Sequence, residues 1–165
     1  MFRSGYDAIS WAIRRTKTPI IDSPSIWRLA SKTGYHDVLP TLNRWDKLAE
    51  ASLIILNLQR ACTPIEAAAV WSYFTGGTVV GTEELTRHVA RELGKDRWFV
   101  RDCILSWSRD RPRHTQKWWA KKYGVSEMAV SRWSALVKRS LDNSFRNGLA
   151  KTEDRLYETG HVGAY

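Results

Sequence analysis

The chain has 165 residues, with 26 Lys or Arg against 17 Asp or Glu and a formal net charge of +9 at pH 7, which fits a single domain and excludes a multi-domain enzyme. At 43% hydrophobic and 12% aromatic residues it can bury a core, so it is not a disordered basic tail. The positive balance points to an acidic partner, nucleic acid first.

The longest aliphatic run, Leu53 to Leu56, is far below the roughly 20 residues that span a bilayer, and the first residues form no apolar leader, so a cytoplasmic protein without a membrane partner is expected. Two separated cysteines, Cys62 and Cys103, and four scattered histidines, His36, His88, His114 and His161, make no metal-ligand spacing. No metal and no cofactor is expected, and the thiols are expected to be reduced and buried.

Helical periodicity interrupted by Pro and Gly, with almost no alternation of period two, predicts an all-α protein. Ile9, Trp11, Ala12 and Ile13 mark a first helix over 6–15. Ser23-Pro24 resembles an N-cap followed by proline at the first helical position, opening a short helix that stops at Gly34. Leu42, Trp45, Leu48, Ala49, Ser52, Leu53, Ile55 and Leu56 recur at spacings of three and four, predicting a long helix over 41–60 as the central core element. Thr63-Pro64 repeats the capping device before 65–74, apolar nearly all round and closed by Gly76-Gly77. Nine tryptophans are expected to brace this body.

The strongest signal is 116–133, Gln-Lys-Trp-Trp-Ala-Lys-Lys-Tyr-Gly-Val-Ser-Glu-Met-Ala-Val-Ser-Arg-Trp. Ala120 falls where two helices must cross closely, and Gly124 where the turn needs a positive φ. Ser126 is placed to cap the second helix, while Trp119, Tyr123, Val125, Val130 and Trp133 fall on inward faces. Thirty residues earlier, 86–103 carries the same pattern: Ala90, Leu93, Gly94, Val100 and Cys103 stand for Ala120, Tyr123, Gly124, Val130 and Trp133, with Asp96 at the cap and Lys95 in place of Val125.

These motifs resemble helix-turn-helix DNA-binding proteins, and they divide the chain into a helical body over 1–80, a tandem helix-turn-helix region over 81–147 and a mobile tail over 148–165. From Arg109 to Arg139 nine basic residues face two acidic ones, making the second copy the candidate reader of double-stranded DNA. Arg113, Lys117, Lys121, Lys122, Lys138 and Arg139 are expected to anchor phosphates. Ser126, Glu127, Met128, Ser131 and Arg132 lie at the N-terminal end of the second helix, and Arg132 is the best candidate for a bidentate contact with guanine. In the first copy Arg97, Trp98 and Arg101 lie on the outer face, for DNA or for protein. Core packing is expected to take at least one of Trp118 and Trp119, against base stacking on single strands.

No nucleophilic triad, glycine-rich phosphate loop or CxxC is present, so no catalytic residue is assigned and no enzyme is expected. Glu66, Glu83, Glu84 and Glu92 lack a lysine or histidine at catalytic spacing and are expected on solvated faces or near helix N-termini.

Ala-Ser-Leu-Ile-Ile-Leu-Asn-Leu-Gln-Arg over 51–60, then Ala-Ala-Ala-Val-Trp-Ser-Tyr-Phe-Thr-Gly-Gly over 67–77, followed by the helix-turn-helix region, resemble phage late-gene antitermination proteins of the Q class. The resemblance implies a helix-turn-helix similar to sigma region 4, binding beside a promoter, and RNA polymerase as a partner that reads through terminators. Some members carry a cysteine-rich zinc element that two cysteines cannot build. A DNA-recognition subunit of a packaging terminase, which uses the same motif, is the alternative, with a ring-like oligomer and a large terminase ATPase as its corollaries.

Overall fold

The structure, a computed structural model, describes residues 2–16, 43–77, 81–108 and 114–163. Among them are seven helices: α1 (Gly5–Thr16), α2 (Arg44–Ala61), α3 (Pro64–Thr75), α4 (Thr82–Leu93), α5 (Arg97–Ser108), α6 (Gln116–Tyr123) and α7 (Glu127–Glu158). The protein is all-α, and one isolated bridge between Phe2 and Val162 is the sole extended pairing among the described residues. The helix expected after Ser23-Pro24 lies outside them.

Local chemistry sets the helix ends. Asn43 Oδ1 accepts from the backbone N–H groups of Trp45 and Asp46 at 2.9 and 3.0 Å, fixing the start of α2. At α3 the Thr63 hydroxyl accepts from Glu66 N–H while a Glu66 carboxylate oxygen accepts from Thr63 N–H at 2.9 Å, with Pro64 at the first position. This reciprocal cap satisfies two amides that the helix itself leaves unpaired. Glu66 is therefore not a solvated acid: it is buried, and Lys151 of α7 donates to both its oxygens at 2.7 and 2.9 Å.

The central element is α7, not the helix predicted over 41–60. Its 32 residues run about 48 Å at 1.5 Å per residue, and it touches all six other helices. Val130, Val137, Leu141, Gly148, Thr152 and Leu156 form its buried seam, recurring at spacings of seven and four that keep one stripe facing inward. In α2 only Ala51, Ile54, Asn57 and Leu58 are buried, while Trp45, Leu53 and Leu56 stay exposed. Its apolar residues span a wider arc than its neighbours α1, α3 and α7 cover.

Two packed clusters share this frame. Phe2, α1, the inner side of α2, Val70, Leu156 and Val162 make one; Ala68, Ala69, Leu85, Val89, Phe99, Val100, Ile104, Trp119, Val130, Val137 and Leu141 make the other, and Phe145 packs against both. Where α3 crosses α7, a Cβ on Gly148 would stand 2.9 Å from Val70 Cγ2 and 3.1 Å from the Glu66 carbonyl oxygen, so only glycine permits that approach.

The tail expected over 148–165 is corrected by the same helix. Residues 148–158 continue α7, Leu156 and Val162 are buried, His161 Nδ1 lies 2.7 Å from Glu50, and Phe2 N–H donates to the His161 carbonyl. Apolar residues at helical spacing past Gly148 hold the segment in the core, and α7 runs through the boundary expected at 147/148 without a break. The tryptophans also divide: Trp11 and Trp119 are buried, but Trp45, Trp98 and Trp118 are exposed.

Candidate nucleic-acid interface

Two helical corners with the same construction stand thirty residues apart. Gly94, between α4 and α5, has φ 59° and ψ 40°, and Gly124, between α6 and α7, has φ 64° and ψ 33°. A Cβ at either position would meet nothing within 4 Å, so the left-handed backbone, not lack of space, selects glycine. Lys95 N–H donates to the Ala90 carbonyl at 3.0 Å and Val125 N–H to the Ala120 carbonyl at 3.1 Å. Each second helix then opens on a side-chain cap: Asp96 Oδ1 accepts from Phe99 N–H at 2.9 Å, and Ser126 Oγ from Ala129 N–H at 3.1 Å. The internal repeat is thus a repeat of backbone geometry.

The corners pack against each other through an asymmetry between them. Phe99 of α5, whose counterpart thirty residues on is Ala129, is fully buried and meets Trp119, Tyr123 and Trp133 edge-to-face, with ring centroids 5.5, 5.2 and 5.6 Å away. Asp102 of α5 accepts from Lys122 Nζ at 2.6 Å and from the Tyr123 hydroxyl at 2.7 Å. Burial, and this bond to a carboxylate, push the Tyr123 hydroxyl well above its ordinary pKa of 10. Burial likewise pushes Cys103 up to about 12, so its thiol is protonated and unreactive at neutral pH.

The candidate DNA contacts separate accordingly. Lys117, Lys121, Arg132, Lys138 and Arg139 are exposed, and none has an ion pair or side-chain hydrogen bond with a described residue. On α7, Met128, Arg132 and Arg139 fall within about 40° of one another around the axis, and Met128 is 64% exposed. Glu127 and Ser131 both lie to one side of this stripe. Ser126 is exposed, but its hydroxyl is engaged as the cap. Arg113 lies outside the described residues.

Two expected phosphate anchors are placed differently. Lys122 is held by Asp102 and joins the corners, because the carboxylate is the nearest counter-charge available to it. Lys138 lies about 120° around α7 from Arg132, on a groove of about 460 Å³ shared with His114, Gln116, Trp107 and Asp142, so it does not act from the Arg132 face. In the first copy Arg97 is paired with Glu83, and the Arg101 guanidinium rests 5.6 Å from the ring centroid of the exposed Trp98. Trp119 is in the core as expected, while Trp118 is 40% exposed and stacked on His114 at 3.7 Å.

The sequence reading missed the bond from Lys122 to Asp102 and the insertion of Phe99. Phenylalanine at the position that the second copy gives to alanine is the one signal that marked the insertion. Among the described residues no group of three or more metal-binding side chains occurs, and no helix is long and apolar enough to cross a membrane. No family model, no curated protein and no solved structure matches the chain.

Proposed function

We propose that the second corner, α6 and the first turns of α7, binds duplex DNA and reads its sequence, so that the protein acts as a regulator of transcription and not as a catalyst. The observation that carries this reading is the set of exposed cations on one helix-turn-helix that form no ion pair among the described residues: Lys117 and Lys121 on α6 and Arg132 and Arg139 on α7. Exposed cations are available to phosphates, and each adds a counterion-release increment to affinity. Arg132 stands one and a half turns into α7, within reach of base edges once the N-terminal turns enter the major groove, and Arg139 lies about 10.5 Å further along the same stripe, at the backbone.

A sequence-reading partner of this kind places the protein in the cytoplasm, of the host if it is phage-encoded. Antitermination, with RNA polymerase as the protein partner, is the most specific version, and it rests on the resemblance of 51–60, 67–77 and the helix-turn-helix region to the Q class.

Selection from a randomised duplex library at about 0.15 M salt, with Arg132→Ala alongside, tests the reading. Enrichment of one sequence by the wild type and its loss in the variant are expected. Equal binding to every duplex refutes sequence reading. A ring-like oligomer with affinity for a terminase ATPase moves the function to DNA packaging.

A further inference from the structure

Between the two corners runs a groove of about 580 Å³, lined by Gly94, Lys95, Asp96, Trp98, Phe99, Lys122, Tyr123, Val125 and Trp133. Its floor is aromatic, and its charged lining is Lys95, Lys122, which is paired with Asp102, and Asp96, which caps α5. Lys95 Nζ stands 4.4 Å from the Trp133 ring centroid, and Lys122 Nζ stands 5.0 Å from that of Tyr123 and 5.1 Å from that of Trp118. Trp98, at one wall, is 62% exposed and carries the Arg101 guanidinium against its ring.

Duplex reading uses none of this. The duplex contacts lie on α6 and the outer stripe of α7, whereas the groove opens between α5 and the turn of the second corner. A large indole left in water at the edge of an aromatic groove, with ammonium groups on the neighbouring rings, is the arrangement that stacks an unpaired base and holds its phosphates. A paired base inside a duplex presents only its edges and cannot offer its face to Trp98. An aliphatic peptide would gain nothing from the cations, and an acidic one would gain nothing from the stacking surface.

We propose that this inter-corner groove binds an unpaired stretch of the DNA strand adjoining the duplex site, with a base stacked on Trp98 and the phosphates held by Lys95 and Arg101. The inference rests on the duplex reading for the source of the strand, because Val125 and Tyr123 place the groove directly beside the turn that leads into α7. Lys95 gives up its ring contact with Trp133 for a phosphate contact on binding, so strand affinity is salt-dependent.

Fluorescence anisotropy on the full chain tests it, using fluorescein-labelled oligo(dT) of about 12 nucleotides, the matching oligo(rU), and a blunt duplex at low salt. Trp98→Ala is expected to weaken oligo(dT) binding by about 5- to 150-fold, the range for losing one stacked base, while changing duplex affinity less than about twofold. Trp98→Phe, which keeps a stacking face, is expected to restore most of the loss. The exposure of Trp98 leaves the core untouched in both variants, and a thermal melt confirms folding. Unchanged oligo(dT) affinity in Trp98→Ala overturns the site, as does equal weakening of oligo(dT) and duplex, which would make Trp98 an ordinary duplex contact. Preference for oligo(rU) overturns the assignment to DNA, and binding of an acidic peptide in place of either strand makes the groove a protein site. If the duplex fails to bind while oligo(dT) binds through Trp98, the duplex reading falls and the groove stands.

Discussion

Phe99 is the test of whether the two corners act as one body. Its ring is fully buried and meets three aromatic partners of the second corner at 5.2 to 5.6 Å. Removing a buried phenyl ring typically destabilises by about 3–5 kcal/mol, from lost transfer energy and the cavity left behind. Part of that belongs to the edge-to-face contacts, about 0.5–1.5 kcal/mol for each pair. Phe99→Ala should therefore destabilise by about 4 kcal/mol, a large share of the roughly 5–15 kcal/mol total of such a domain, and lower Tm by about 8–16 °C. Phe99→Leu refills most of the volume and loses only the ring geometry, so about 1–2 kcal/mol is expected. Urea unfolding at constant m measures both, and a cycle with Trp133→Ala isolates the contact between corners, expected at about 0.5–1.5 kcal/mol. Phe99→Ala within about 1 kcal/mol of wild type, or strict additivity with Trp133→Ala, would refute the rigid pairing of the corners.

Gly148→Ala should destabilise by about 1–2 kcal/mol, because crowding against Val70 and the Glu66 carbonyl outweighs the better helix propensity of alanine; a gain in Tm would show that α3 and α7 can move apart. Gly94→Ala and Gly124→Ala should each destabilise by about 1–2 kcal/mol from the left-handed backbone alone, since no atom stands in the way, and unequal losses in urea titrations would break the equivalence of the corners. Lys121→Gln should weaken duplex binding uniformly across sequences and flatten the salt slope by about one. Lys122→Gln, which removes the partner of Asp102, should leave that slope nearer to wild type. Cys103 and Tyr123 have raised folded-state values, so the stability they lend is complete below their unfolded values, near 9 and 10, and is lost as pH rises. Urea midpoints should fall from about pH 9 upward, less steeply in Cys103→Ala; a flat profile would mean that neither group is held protonated by the fold.

The repeat was legible in the sequence because it depends on local rules. A glycine where φ must be positive, a capping Asp96 or Ser126 two residues later, and a small Ala90 or Ala120 before the turn each state a requirement of the backbone that no distant contact changes. The helix ends at Thr63-Pro64 and Gly76 were legible for the same reason. Burial direction was not. The apolar residues of 41–60 match any helical face, and only the positions of α1, α3 and α7 decide that Ile54 is inside while Trp45 and Leu53 are outside. The polar run after Leu141 concealed a seam, Gly148, Thr152 and Leu156, whose small and apolar members become readable only once α3 lies against them. Charge was legible as a total but not as an assignment. Lys121 and Lys122 are neighbours in sequence, yet Asp102, twenty residues before Lys122, takes one and leaves the other to solvent. Local sequence fixes turns and caps because their hydrogen bonds close within a few residues; which cation is free and which face is buried depends on partners that tertiary packing brings from elsewhere in the chain.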